Sequence, residues 1–229
     1  MNESAMSEKI YKESGIELSP FIASHYDSLM NTLSFGRYDG FIRKAIQDMG
    51  IQEEDEILDM GCGTGKNAAI MAHFLGKTGS VTGVDLSPVM EKQFREKHQA
   101  DSRIDFSRQR IDIPFDLGKR FDKILLSFVI HGFPQEVREK ILQNAQKHLK
   151  PGGQLFILDY AEFEMASMPW HHRFIFKKVE CVYAFDFIEK DLKSMLGAYS
   201  FHEFNENLYF RKYARLLSAK KEKNTNPKK

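Results

Sequence analysis

The run Ile57-Leu58-Asp59-Met60-Gly61-Cys62-Gly63-Thr64-Gly65 limits the fold more than any other stretch of the chain. A short apolar segment ends in alternating glycines and a helical pattern follows, which spells a buried strand, a tight turn and a helix start. Glycine permits positive φ and keeps Cβ out of a ligand's path, while the unpaired amides that open a helix point at whatever lies above the turn. Asp59 fixes a negative charge at the strand end, which suits an ammonium better than a phosphate. Two phosphate-binding patterns fail on the letters. The third glycine of G-x-G-x-x-G falls on Lys66, and a G-x-x-x-x-G-K-[ST] loop would need glycine at Met60 and a hydroxyl at Asn67.

From Glu56 onward, short β-rich runs alternate with longer amphipathic ones, the pattern of a parallel sheet built from βαβ units. Strands are expected over Glu56 to Met60, Ser80 to Val84, Ile104 to Ser107, Phe121 to Phe128 and Gln154 to Tyr160. The intervening helices run from Gly65 to Leu75, from the Ser87-Pro88 cap to His98, and from Pro134 to Leu149. Upstream, residues 1 to about 18 form either a frayed arm or a short helix. Ser19-Pro20 then starts a helical segment, Phe21 to Met49, broken into two helices near Gly36 and Gly40. Downstream, Met165 to Val182 reads as an aromatic helix and Ile188 to Leu196 as a charged one. Ser200 to Phe204 and Leu208 to Leu217 read as a hairpin turning at Asn205-Glu206-Asn207. Lys220 to Lys229 is basic, polar and expected to be disordered.

A formal net charge of +1 over 229 residues advertises no nucleic-acid or membrane-surface partner through bulk charge. Cys62 and Cys181 are too few for a disulfide framework and have no metal-ligand spacing, so no metal is expected and a reducing cytoplasm fits. Beyond the glycine turn, Asp85 ends the second strand, where a carboxylate accepts hydrogen bonds from two ribose hydroxyls. A NAD site uses the same device, so Asp85 supports nucleoside binding without choosing the cofactor; Ser87 is the better helix cap.

Asp59-x-Gly61-x-Gly63-x-Gly65 resembles the first motif of the class I S-adenosylmethionine (SAM) methyltransferases. Gln109-Arg110-Ile111-Asp112-Ile113-Pro114-Phe115 resembles their D-A-x-x-L-P-F stretch, with Gln109 at the acidic position and Asp112 as its rival for the adenine amino group. Leu149-Lys150-Pro151-Gly152-Gly153-Gln154-Leu155 matches their L-K-P-G-G-x-L turn. The narrower resemblance is upstream: Tyr26-Asp27 through Met30-Asn31 to Ser34-Phe35-Gly36 is similar to the Y-D-x-M-N-x-x-x-S-x-G segment of the ubiquinone/menaquinone biosynthesis C-methyltransferases. One residue is inserted after Asp27, and Arg37 to Gly40 depart from that family's usual continuation.

The resemblance implies a Rossmann-like, seven-stranded, mostly parallel α/β sheet with a C-terminal antiparallel hairpin. It divides the chain into a helical lid over residues 1–50, a SAM-dependent domain over 51–219 and a tail over 220–229. It implies SAM as cofactor and S-adenosyl-L-homocysteine as product, held by Tyr26, Asp59, Gly61, Cys62, Gly63, Thr64, Gly65, Asp85, Leu86, Met90, Gln109, Arg110, Ile111, Ser127 and Phe128. Val129 and Ile130 stand where nucleic-acid amino methyltransferases carry two prolines, so nucleic acid is not the expected acceptor. The expected partner is a small molecule, a quinol or related aromatic, met by a monomer or homodimer with at most peripheral membrane contact. C-methylation of a phenolic ring needs a base, for which Asp27, His131 and Asp159 are the candidates, His131 having a pocket-lining role as its alternative. N-, O- or lipid-headgroup methylation, or SAM binding without catalysis, are the competing functions.

Overall fold

The computed structural model describes Tyr11, Ser14 and residues 37–223 of the chain. Seven strands form one sheet: β1 (Glu56–Met60), β2 (Ser80–Asp85), β3 (Ile104–Arg108), β4 (Phe121–Ser127), β5 (Leu149–Tyr160), β6 (Phe201–Tyr209) and β7 (Ala214–Lys221). Their order is β3-β2-β1-β4-β5-β7-β6. The first five are parallel, and β7 pairs antiparallel with both β5 and β6. The strand order reverses between β1 and β4, which opens a crevice at their carboxyl ends.

The helices are α1 (Tyr38–Gln47), α2 (Lys66–Ala72), α3 (Pro88–His98), α4 (Gln135–His148), α5 (Trp170–Val179), α6 (Val182–Phe187) and α7 (Leu192–Gly197). Alternate strand residues feed two cores, because successive side chains on a strand point to opposite faces. On one face Leu58, Ile124, Leu126 and Ile157 meet Val137, Ile141 and Ala145 of α4. On the other, Ile57, Leu125, Phe156 and Leu158 meet Phe41, Ile42, Ala45 and Ile46 of α1. α1 is the second of the two helices expected in the lid. The first, with Tyr26 and Asp27, lies outside the described residues. Tyr11 is held rather than frayed, since its hydroxyl donates to Asp112 at 2.7 Å and its ring stands edge-on to Phe133.

Five expectations need correction. Pro151-Gly152-Gly153 is not a turn before β5 but an irregularity within it: Leu149 pairs with Phe121 and Gln154 with Lys123. The aromatic helix is broken, with α5 ending at Val179 and α6 starting at Val182. The charged helix starts at Leu192, capped by Asp191, whose carboxylate accepts from the Ser194 amide at 3.0 Å. The hairpin turns at Phe210–Lys212, not at Asn205-Glu206-Asn207, because Glu206 is drawn into the sheet by ion pairs to buried Arg215 at 2.9 Å and to Lys193 at 3.2 Å. At the other boundary, β7 carries Lys220 and Lys221 as strand residues, and 224–229 lie outside the described residues.

Candidate active site

The loop after β1 holds all three motif glycines at positive φ: Gly61 at 81°, Gly63 at 52° and Gly65 at 77°. A Cβ on Gly61 would lie 2.5 Å from Val129, and one on Gly65 would lie 2.5 Å from His98 and 2.6 Å from Phe94. Those two glycines let the β4 loop and α3 close on the turn. A Cβ on Gly63 would meet nothing within 4 Å, so that glycine borders open space. Gly61 and Cys62 donate their amides to the Val84 carbonyl at 2.7 and 3.1 Å, tying the turn to β2. Thr64 is buried and accepts from Lys97 Nζ at 3.1 Å.

Asp59 is fully buried, and neither carboxylate oxygen has a hydrogen-bond partner among the described residues. Burial, and after it the charge of Asp85, pushes its pKa up to about 7. Burying a carboxylate without a partner is costly, so this pair of oxygens fits a ligand that brings a cation or donor. Asp85 accepts from the Gly63 amide at 3.0 Å and from the Ser87 amide at 2.9 Å; burial raises its pKa despite those bonds. Burial and the charges of Asp59 and Asp85 likewise hold the Cys62 thiol protonated, with its pKa well above the usual range. Ser87 caps α3, its hydroxyl accepting from the Met90 amide at 3.3 Å, as the sequence led one to expect. Met90 is buried beside it, and Leu86 is exposed.

At the end of β3, Gln109 donates its amide to the Asp85 carbonyl at 3.2 Å and is only half-buried. Asp112 is already engaged by the Arg110 guanidinium at 2.6 Å and by Tyr11, which hold its carboxyl below the ordinary range against the opposing effect of burial. That leaves Gln109 the freer of the two rival acceptors, and turns Arg110 toward Asp112. Ile111 is buried, with its carbonyl accepting from Asn144. Ser127 and Phe128 end β4 half-buried, Phe128 at φ 53° in the left-handed region while its amide donates to Leu158. A phenylalanine held there is strained, as residues at functional turns commonly are.

Beyond Phe128, the structure joins His131 and Asp159. The imidazole Nδ1 lies 2.7 Å from Asp159 Oδ1, and the His131 amide donates to Oδ2 at 3.3 Å. A third member had no sequence signal: Glu180, just past α5, has Oε2 3.6 Å from His131 Nε2, and its Oε1 accepts from the Tyr160 hydroxyl at 2.5 Å. Burial depresses the imidazole's proton affinity, but the carboxylates of Asp159 and Glu180 outweigh it, and the net shift is upward. The walls are aromatic: the Tyr160 ring is 5.1 Å from His131, 6.0 Å from Phe128 and 5.1 Å from Phe176.

An orphaned buried carboxylate at the end of β1, a glycine facing open space and a carboxylate at the end of β2 fit a ligand with an ammonium at one end and a ribose at the other. With the sheet order, they define the class of SAM-dependent methyltransferases. Residues 11–201 match the ubiE/COQ5 methyltransferase family, and the chain belongs to it. A demethylmenaquinone methyltransferase of Staphylococcus aureus is 28% identical over 142 residues, 62% of this chain; the match spans 58% of that relative's length. Among solved structures, a SAM-dependent methyltransferase from Aquifex aeolicus superposes with a TM-score of 0.66 at 18% identity, over 89% of this chain and 99% of its own. The N-methyltransferase NodS from Bradyrhizobium japonicum, in complex with S-adenosyl-L-homocysteine, gives 0.57 at 15%, over 82% and 87%. No described helix is long and apolar enough to cross a membrane.

Proposed function

We propose that the chain transfers a methyl group from SAM to a ring carbon of a quinol or related phenolic aromatic. The observation that carries this reading is the buried His131–Asp159 pair inside an aromatic wall at the end of β4 and β5. SAM supplies a methyl group already activated on its sulfonium. Asp59 would hold the ammonium, Asp85 the ribose hydroxyls and Gln109 the adenine amino group, with the Gly63 face left clear for the ligand.

Asp159 accepting from Nδ1–H fixes the tautomer in which Nε2 carries the lone pair. Nε2 would then take the phenolic proton, which raises electron density on the ring carbon that is methylated. Glu180 lies on the Nε2 side and favours the imidazolium so formed. Phe128, Tyr160 and Phe176 would align a flat ring and exclude water. Asp27 stays a further candidate base outside the described residues, and Tyr26 a candidate cover for the cofactor. The similarity to a demethylmenaquinone methyltransferase supports a quinol acceptor.

The same dyad would deprotonate a hydroxyl for O-methylation, so the product decides between the two. Labelled methyl transfer from SAM to a panel of demethylated quinols, followed by mass and NMR analysis, tests the reading. A new C–CH3 signal supports it; an O–CH3 product, or turnover with amines or lipid headgroups alone, overturns it.

A further inference from the structure

The face of α5 turned away from the sheet has an unusual composition. At 100° per residue, Trp170 and Phe174 lie side by side, flanked by Arg173 and Lys177 on one edge and by Lys178 on the other. Trp170 is 74% exposed and Phe174 60%. Phe176, by contrast, turns inward and packs on Tyr160. The helix contains no acidic residue.

The β6–β7 turn meets α5 on another side. It holds Phe210, Arg211 and Lys212 all at positive φ, without a glycine, and exposes all three. A recess of about 470 Å³ lined by Arg37, His172, Phe210, Arg211 and Tyr213 joins this turn to α5, but His172 lies about 160° round the helix from Trp170 and Phe174, so the turn is not part of their face. On the outer face of α5, among the described residues, no acid pairs with Arg173, Lys177 or Lys178. Three cations without an acid partner among the described residues, beside two exposed aromatic rings in a chain of net charge +1, make a local surface that water alone does not explain.

We propose that the outer face of α5 docks on an anionic lipid bilayer, with Trp170 and Phe174 in the headgroup layer and Arg173, Lys177 and Lys178 on lipid phosphates. Amphipathic indole and phenyl rings favour that layer, and lysine and arginine beside them bind anionic lipid. The charge complementarity selects the bilayer over a neutral apolar partner. The inference deepens the quinol reading, since α5 runs directly into Glu180 and the acceptor-side wall, which would bring a membrane-dissolved acceptor to His131. The binding face itself does not depend on that reading.

Trp170 is the only tryptophan in the chain, so its fluorescence reports this face alone. The full-length protein is titrated with phosphatidylcholine vesicles and with mixed phosphatidylcholine/phosphatidylglycerol vesicles, following sedimentation and Trp170 emission. Expected are binding to the anionic vesicles, a blue shift, and quenching by brominated lipid. K177E/K178E should weaken binding by on the order of tenfold or more, and high salt should do the same. F174A, which keeps the reporter, should weaken it too. All these side chains are exposed, so thermal unfolding should match wild type, as should methyl transfer to a short-tailed, water-soluble quinol. Failure to bind anionic vesicles, equal binding of K177E/K178E, or binding with unchanged Trp170 emission overturns the proposal. So does a dimer that W170A/F174A converts to monomer, which assigns the face to a second copy. Vesicle binding without quinol turnover would overturn the acceptor reading and leave the docking face standing.

Discussion

Replacing Asp59 by asparagine separates what its carboxylate costs the empty protein from what it gives the cofactor site. Asp59 is fully buried with no hydrogen-bond partner among the described residues, and its pKa rises from an ordinary 3.8 to about 7 through burial and then the charge of Asp85. The folded chain therefore binds a proton more tightly than the unfolded one. The stability this group contributes is complete below about pH 4 and is lost as pH climbs through 7. At about 1.4 kcal/mol for each tenfold change in proton affinity, the loss between pH 5 and pH 8 is about 3 kcal/mol. Asparagine is close in shape and uncharged, and its unsatisfied amide lowers stability by about 1–3 kcal/mol at every pH. The wild-type minus D59N stability difference should thus fall by about 3 kcal/mol from pH 5 to pH 8 in urea unfolding.

The cofactor should respond in the opposite sense. An ammonium pairs with the ionised carboxylate, so SAM affinity of the wild type should rise by up to about tenfold per pH unit below 7 and level off above it. Calorimetry on D59N should show weaker binding at pH 8 and a flatter profile. A stability difference that stays constant with pH, or wild-type affinity in D59N at pH 8, would refute the reasoning.

Asp85→Ala removes the acceptor of two backbone amides and the proposed ribose contact, and calorimetry should show SAM affinity down by about 100-fold or more. His131→Ala should leave SAM affinity within about threefold and lower kcat by about 10²–10⁴, in single-turnover assays that separate chemistry from binding. Because the proposed base, His131, would work when neutral and its carboxylate neighbours raise its proton affinity, the wild-type rate should rise with pH around a midpoint above 6.5. In Glu180→Gln that midpoint should move down. Gly63→Ala should fold with a backbone cost of about 1–2 kcal/mol yet bind SAM poorly, because its methyl enters open space at the site. Gly65→Ala should instead lower the urea midpoint further, its Cβ lying 2.5 Å from His98 and 2.6 Å from Phe94.

The parallel strands were legible because each is a short apolar run bounded by glycine, proline or a cap. The residues proposed for the cofactor side could be picked from the letters because strand ends and glycine turns are local features. Where the letters misled, a distant partner had overruled local chemistry. Asn205-Glu206-Asn207 has turn composition, but Arg215 is buried and takes Glu206 together with Glu162, so the polar stretch is strand and the chain turns instead at Phe210–Lys212 without a glycine. The acceptor side shows the same limit more sharply. Glu180 is a lone acid in an aromatic stretch, and nothing nearby in sequence marks it. It reaches His131 and Tyr160 only because the helical run breaks between α5 and α6, and that break sets the carboxylate against β5. The proposed cofactor half is written in contiguous motifs because backbone turns create it. The proposed acceptor half is assembled from segments far apart in the chain, and on this reading a substitution there can change the acceptor without disturbing any motif.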